Sequence, residues 1–147
     1  MLSCLKGAFK GNDMKQITID GNNFSDEEEF YAEIDRLLTK DLDWKTGHNL
    51  NALRDLLRGG FGVHEYGEEL DITWINAAKS RRDLGYEETL RHWEKILETC
   101  HPSNASMVKD CISNAKNRTG KTLFDIIVDE ILDSDDTGHR CKLTVKE

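Results

Sequence analysis

Ala115-Lys-Asn-Arg-Thr-Gly-Lys-Thr122 ends in the Gly120-Lys121-Thr122 triplet that nucleotide-binding loops use to hold phosphates and a metal ion, and Ile126-Ile-Val-Asp-Glu130 follows like a metal-carrying second motif. A phosphate cradle needs a strand feeding the loop and a helix leaving it, so that backbone N–H groups converge on the anion. Here the residues ahead of the loop have helical spacing, and the second motif falls inside the helix that the first one opens. The same residues read as a helix end followed by a helix cap. Arg58-Gly-Gly-Phe-Gly62 is a second glycine-rich candidate, but it follows a helical pattern and leads toward a strand, the reverse of the required order. Its glycines supply positive-φ turn positions.

Acid-base and metal chemistry have thinner support. His64-Glu65-Tyr66 puts three proton-transfer groups side by side, yet adjacency in sequence does not bring their functional atoms to one point. Cys100-His101, Cys111 and His139-x-Cys141 match no zinc-finger or ribbon spacing, and three of the four cysteines fall on apolar stripes, where a thiol acts as a small hydrophobe. Neither a metal nor a cofactor is expected. Asp83, Glu87 and Glu88 complement the dipole at a helix start.

A polar stripe is of more interest. With Leu50, Leu53 and Leu57 facing inward, Asn51, Arg54, Asp55 and Arg58 share the opposite face of one helix at i, i+3, i+4 and i+7. Two loops flank it, Trp44-Lys-Thr-Gly47 and Gly59-Gly-Phe-Gly62.

The elements that must hold this stripe can be read along the chain. Ile17 and Ile19 alternate within Lys15–Asp20, a strand closed by the Asp20-Gly21 turn signal. Ser25-Asp-Glu-Glu28 forms a capping box, after which Phe30, Ile34, Leu37 and Leu38 predict a helix to about Leu42. Asn49 caps the next helix, with Leu50, Leu53, Leu56 and Leu57 buried and Gly59-Gly60 as its stop. Leu70, Ile72 and Trp74 alternate with Asp71, Thr73 and Ile75, giving a strand with two fairly apolar faces. Tyr86, Leu90, Trp93, Leu97 and Cys100 trace a third helix. Val108, Cys111, Ile112 and Ala115 mark a fourth ending at Gly120, and Thr122 caps a fifth over Leu123–Leu132. Cys141, Leu143 and Val145 make the last strand. Strands separated by helices favour parallel pairing. The expected fold is α/β: a small three-stranded parallel sheet packed with helices.

Totals agree with one compact domain over 14–147, preceded by a flexible extension over 1–13. The 147 residues are 37% apolar, with one proline. Twenty basic against 28 acidic residues leave a formal charge of −8, which opposes direct nucleic-acid binding and suits a basic protein partner. No stretch has the length and apolarity of a signal peptide or a membrane span, so a cytoplasmic protein with reduced thiols is expected.

Gly47-His-Asn-Leu-Asn-Ala-Leu-Arg-Asp55 resembles the Gly-x-Asn-Leu-x-Ala-Leu-x-Asp core of the barstar family, intracellular inhibitors of secreted microbial ribonucleases. The likeness covers Lys15 to about Ile75, and the last strand more loosely. Relative to compact members, residues 101–138 look like a helical insertion. The resemblance implies a monomeric plug for a basic ribonuclease or ribonuclease-like toxin, in an immunity or antitoxin role, with an aspartate carboxylate standing where a phosphate would sit. Arginine and lysine that hold a phosphate hold a carboxylate by the same charge-assisted bonds. Carried over by position, Asp55 matches the main active-site aspartate. Asn51 stands where the family has a second interfacial aspartate, Arg54 where it has a helix tryptophan, and Lys45 and Thr46 where it has loop tyrosines. Gly59 matches the glycine ending the helix, and Phe61 stands near the aromatic that follows. Trp44, Gly47 and His48 complete the expected contact set. Two other readings stay open: a small nucleotide-binding enzyme using Gly120, Lys121 and Thr122, and a barstar-fold module that binds an unrelated protein.

Overall fold

The computed structural model of the chain describes residues 15–38, 49–50, 52–53, 70–132 and 141–147. Strand β1 (Lys15–Asp20) pairs in parallel with β2 (Leu70–Ile75), and β2 with β3 (Cys141–Val145), in the order β1-β2-β3. Ile17 stands opposite Ile72 and Leu143, and Ile19 opposite Trp74, which faces Val145. Leu70, Ile72 and Trp74 of the middle strand are fully buried. This is the parallel three-stranded sheet that the alternating segments predict.

The second face of the sheet differs from expectation. Gln16, Thr18, Lys142 and Thr144 are exposed, and Asp71, Thr73 and Ile75 are half-buried. One face of β2 is therefore core and the other polar. Thr73 lies in register between Thr18 and Thr144, so both edge strands bring polar neighbours to the face that carries Ile75.

Helix α1 (Glu27–Leu38) buries Phe30, Ile34 and Leu38, one per turn, together with Tyr31. Its cap sits one residue later than the Ser25–Glu28 box. Asp26 Oδ1 accepts the Glu29 N–H at 2.8 Å, and the Glu29 carboxylate reaches back to the Ser25 N–H at 2.8 Å. The remainder of the predicted helix, to Leu42, lies outside the described residues.

Trp74 organises the core. Its ring stacks on Phe30 at 5.6 Å and packs against Phe124 at 4.9 Å and Phe24 at 6.1 Å, while its indole N–H donates to Ser80 Oγ at 3.0 Å. Ser80 belongs to α2 (Ala77–Asp83), a helix that no apolar period announces, because its buried residues are only Ala77 and Ser80. Small side chains there let the backbone of Gly21 approach closely: a Cβ on Gly21 would meet Asn76 O and Ser80 Oγ.

Helix α3 (Tyr86–Thr99) packs along α4 (Ala105–Lys116), and α5 (Leu123–Leu132) packs against α3 and β3. The stripe of Leu90, Trp93 and Leu97 is half-buried; the deeply buried residues of α3 are Glu88, Thr89 and His92. Helix α4 closes at Lys116 rather than at Gly120. Arg118 and Gly120 both take left-handed conformations, at φ 56° and 77°, in the turn that follows. Leu123, Phe124, Ile127 and Ile131 of α5 are buried, as its apolar circumference predicts.

Candidate functional site

The segment singled out by the sequence enters the described structure at Asn49. Its side-chain Oδ1 accepts the Ala52 N–H at 2.8 Å and its carbonyl accepts the Leu53 N–H at 3.0 Å, the geometry of an N-cap opening a helix. Leu53 is 1% exposed and Leu50 packs against the core, so the inward side of this turn is the one the leucine spacing assigns. Asn51, Arg54, Asp55, Gly59 and Phe61, the loop residues Trp44, Lys45, Thr46, Gly47 and His48, and the trio His64 to Tyr66 all lie outside the described residues.

Asn49 and Leu50 share a cleft of about 480 Å3 with Glu27 and Glu28 of α1 and with His92, Lys95 and Ile96 of α3. A neighbouring cleft of about 450 Å3 continues along α1 and α3 past Glu88, Arg91, Glu94 and Glu98. Beneath both lies a buried polar cluster. His92 Nδ1 is 2.8 Å from Glu27 Oε2, which also accepts the Tyr31 hydroxyl at 3.2 Å. A carboxylate only accepts, so Nδ1 carries the proton and donates it. Glu88 bridges the other way: its Oε2 accepts the Glu27 N–H at 2.8 Å and its Oε1 accepts Arg91 Nε at 2.7 Å. A carboxylate from α3 thereby satisfies a first-turn N–H of α1 and sits at the positive end of that helix. Glu88 does more than complement the dipole of its own helix. Burial, then the charge of Glu27, pushes the Tyr31 phenol far above its ordinary range, and it stays a proton donor to the carboxylate.

His92 with a carboxylate on Nδ1 has the form of an oriented general base. Its Nε2, however, is buried and has no hydrogen-bond partner among the described residues. The described contacts of the ring are those of a tie between α1 and α3. The sequence marks Glu88 only as a complement to a helix dipole and gives Glu27 and His92 no role of their own, because polar residues on an inward face carry no hydropathy signal. The signal available was the spacing of Glu88 and His92 on α3, at i and i+4, turned away from the Leu90–Leu97 stripe.

The Gly-Lys-Thr segment is also explicit. Thr122 Oγ1 accepts the Asp125 N–H at 3.2 Å and Asp125 Oδ2 accepts the Thr122 N–H at 3.1 Å, a reciprocal cap. The Leu123 N–H goes to Thr89 Oγ1 at 2.6 Å and the Phe124 N–H to Leu84 O at 3.1 Å. The N–H groups of residues 122–125, which a phosphate loop would aim at its anion, are thus all consumed inside the fold. Lys121 Nζ pairs with Asp129, which raises the pKa of the lysine. A cleft of about 340 Å3 beside it is also lined by Arg81, but that guanidinium binds Glu147 at 2.9 Å and lies over the Phe124 ring.

Cys100, Cys111 and Cys141 are free thiols, and burial pushes the Cys141 thiol up to about 12. Among the described residues no three histidine, cysteine or acidic side chains are placed to hold a metal ion, and no helix is long and apolar enough to cross a membrane.

No curated protein and no solved structure matches the chain. Residues 14–110 match the family model described as Barstar (barnase inhibitor), a span that runs from β1 into α4 and includes the Asn49 turn and the cluster beneath it. With more than half of its length matched and a three-stranded parallel sheet at its centre, the chain belongs to the barstar family.

Proposed function

We propose that the chain is a protein inhibitor of a ribonuclease or ribonuclease-like toxin, acting as an immunity or antitoxin protein that plugs the active site of its target. The observation that carries this reading is the Asn49 cap with Leu53 buried beneath it, inside a chain whose family is that of barnase inhibitors. The helix opens where the sequence pattern opens it, and its first turn directs Leu50 and Leu53 inward as the pattern assigns. Asp55 is the proposed anchor, with Asn51, Arg54, Trp44, Lys45, Thr46, Gly47, His48, Gly59 and Phe61 around it. The inhibitor acts as a monomer, without cofactor or catalytic step. Its net charge of −8 draws a basic partner, and the association rate falls as salt rises. Residues 14–147 form one domain in this reading, and 101–138, which contain α4 and α5, are a helical addition to it.

The test is cleavage of RNA by barnase, with increasing amounts of the full chain. Inhibition by wild type that Asp55→Ala weakens by about 2–5 kcal/mol is the expected result, a general scale for desolvated charge contacts that barnase and barstar themselves helped to set. Asp55→Ala inhibiting as well as wild type rules out the anchor. Wild type that leaves barnase untouched, yet captures a different protein through Arg54 or Asp55, makes the chain a barstar-fold module with another target. Nothing favours the nucleotide-binding alternative, since a helix precedes its loop and Thr122 is occupied as a cap.

A further inference from the structure

The cluster of Glu27, Tyr31, Glu88 and His92 joins α1 to α3 across 65 residues of sequence, and its His92–Glu27 pair walls the cleft that Asn49 and Leu50 share. The site is expensive for what it holds. Glu27, Glu88 and His92 are each at least nine-tenths buried, and His92 Nε2 finds no partner among the described residues. Burying a polar atom without a hydrogen bond costs stability, whereas apolar side chains of similar volume would fill the space without that cost. Local rules broken in this way gather at functional positions. A polar pair has one property an apolar contact lacks, which is direction. Glu27 Oε2 receives Tyr31 from its own helix and His92 from α3, so the two helices have one relative setting in which both bonds form.

We propose that Glu27 and His92 are positioning residues for the partner-binding segment: they fix one wall of the cleft in which its first turn, at Asn49 and Leu50, is seated. The importance of that seating rests on the inhibitor reading above; the seating itself does not. The pair touches no partner. It holds the start of the helix, Asn49 to Leu53, in one place, and an ordered start leaves less for binding to order.

Native-state amide exchange on the full chain tests this without any partner. The Ala52 and Leu53 N–H groups are the probes, because both bond to Asn49, and the Ile72 amide of the central strand reports global opening. In Glu27→Leu/His92→Leu, which replaces the pair by apolar groups, exchange at Ala52 and Leu53 is expected to quicken by about tenfold relative to Ile72. A purely structural role would move all three amides together. His92→Asn, whose side-chain N–H can take the place of Nδ1–H, is expected to restore most of the protection. If the double variant does not fold, His92→Phe, which keeps the ring volume and removes the donor, is read by the same ratio. An unchanged ratio in the folded variant overturns the proposal, and so does His92→Asn behaving like the variant without a donor. Barnase inhibition by the same proteins is expected to weaken in the same order. Faster local exchange together with no inhibition even by wild type would leave the positioning pair standing and remove the inhibitor reading.

Discussion

Thr122 and Asp125 cap each other: each side chain accepts the backbone N–H of the other residue, at 3.2 and 3.1 Å. The threonine that would ligate a nucleotide's metal ion is spent on starting α5. Thr122→Ala is expected to lose about 0.5–2 kcal/mol, the usual worth of a side-chain N-cap, measured by urea unfolding. Lys121→Ala, at an exposed pair, is expected to leave stability almost unchanged. Neither the wild type nor Lys121→Ala should show a rise in Tm with magnesium and ATP or GTP, whereas a true ligand raises it by mass action. A magnesium-dependent rise that Lys121→Ala abolishes would reinstate the nucleotide reading.

Gly21 is set by a close approach. A methyl group there meets the Asn76 carbonyl and, at 2.5 Å, the Ser80 hydroxyl that holds the Trp74 indole. Because the carbonyl belongs to backbone, relief requires moving the β2–α2 corner rather than one rotamer. Gly21→Ala is expected to destabilise by about 1–3 kcal/mol, with a change in Trp fluorescence as the indole bond shifts. Wild-type stability in that variant would mean the corner is looser than this packing implies.

Glu33 ties the end of the turn after β1 to α1. Arg36 donates to both its oxygens, at 3.0 and 2.9 Å, and Asn23 donates at 2.9 Å. Burial alone would raise this carboxyl, but Arg36 and Asn23 outweigh it and hold it below its ordinary range. A group with a depressed folded pKa adds stability above its unfolded pKa and loses it as pH falls through the folded value. Glu33→Gln is therefore expected to cost about 1–3 kcal/mol at pH 7, with the gap to wild type narrowing below about pH 4. A gap that is the same at pH 3 and pH 7 would contradict the assignment.

Cys141 lies on the core face of β3, and burial lifts its thiol to about 12. In the folded chain it stays protonated where the unfolded chain ionises. Its share of stability is whole below about pH 8.5, the range of a free thiol, and is lost as pH climbs toward the folded value. Cys141→Ala should flatten that part of the alkaline decline. In the native protein at pH 8, Cys141 should react with a maleimide more slowly than Cys100. Equal rates for the two thiols would show that the edge strand opens readily.

Local signals in the sequence determined what local physics controls. Alternation placed all three strands, because inward and outward positions repeat every two residues. Asn49 and Thr122 were recognisable as caps because a cap acts within about four residues of itself. The Asp55 motif named the family before any coordinates, although the side chains of the candidate interface lie outside the described residues. The tertiary structure decided what depends on residues far apart in the chain. It moved the α1 cap from Ser25 to Asp26, where the Glu27 N–H meets Glu88, a partner 61 residues away. It made a helix of Ala77–Asp83, which has no apolar stripe and is shaped by the approach of Gly21. It also drew Glu27, Glu88 and His92 into one buried cluster. Hydropathy assigns such residues to solvent, and only the partners brought by folding compensate their burial.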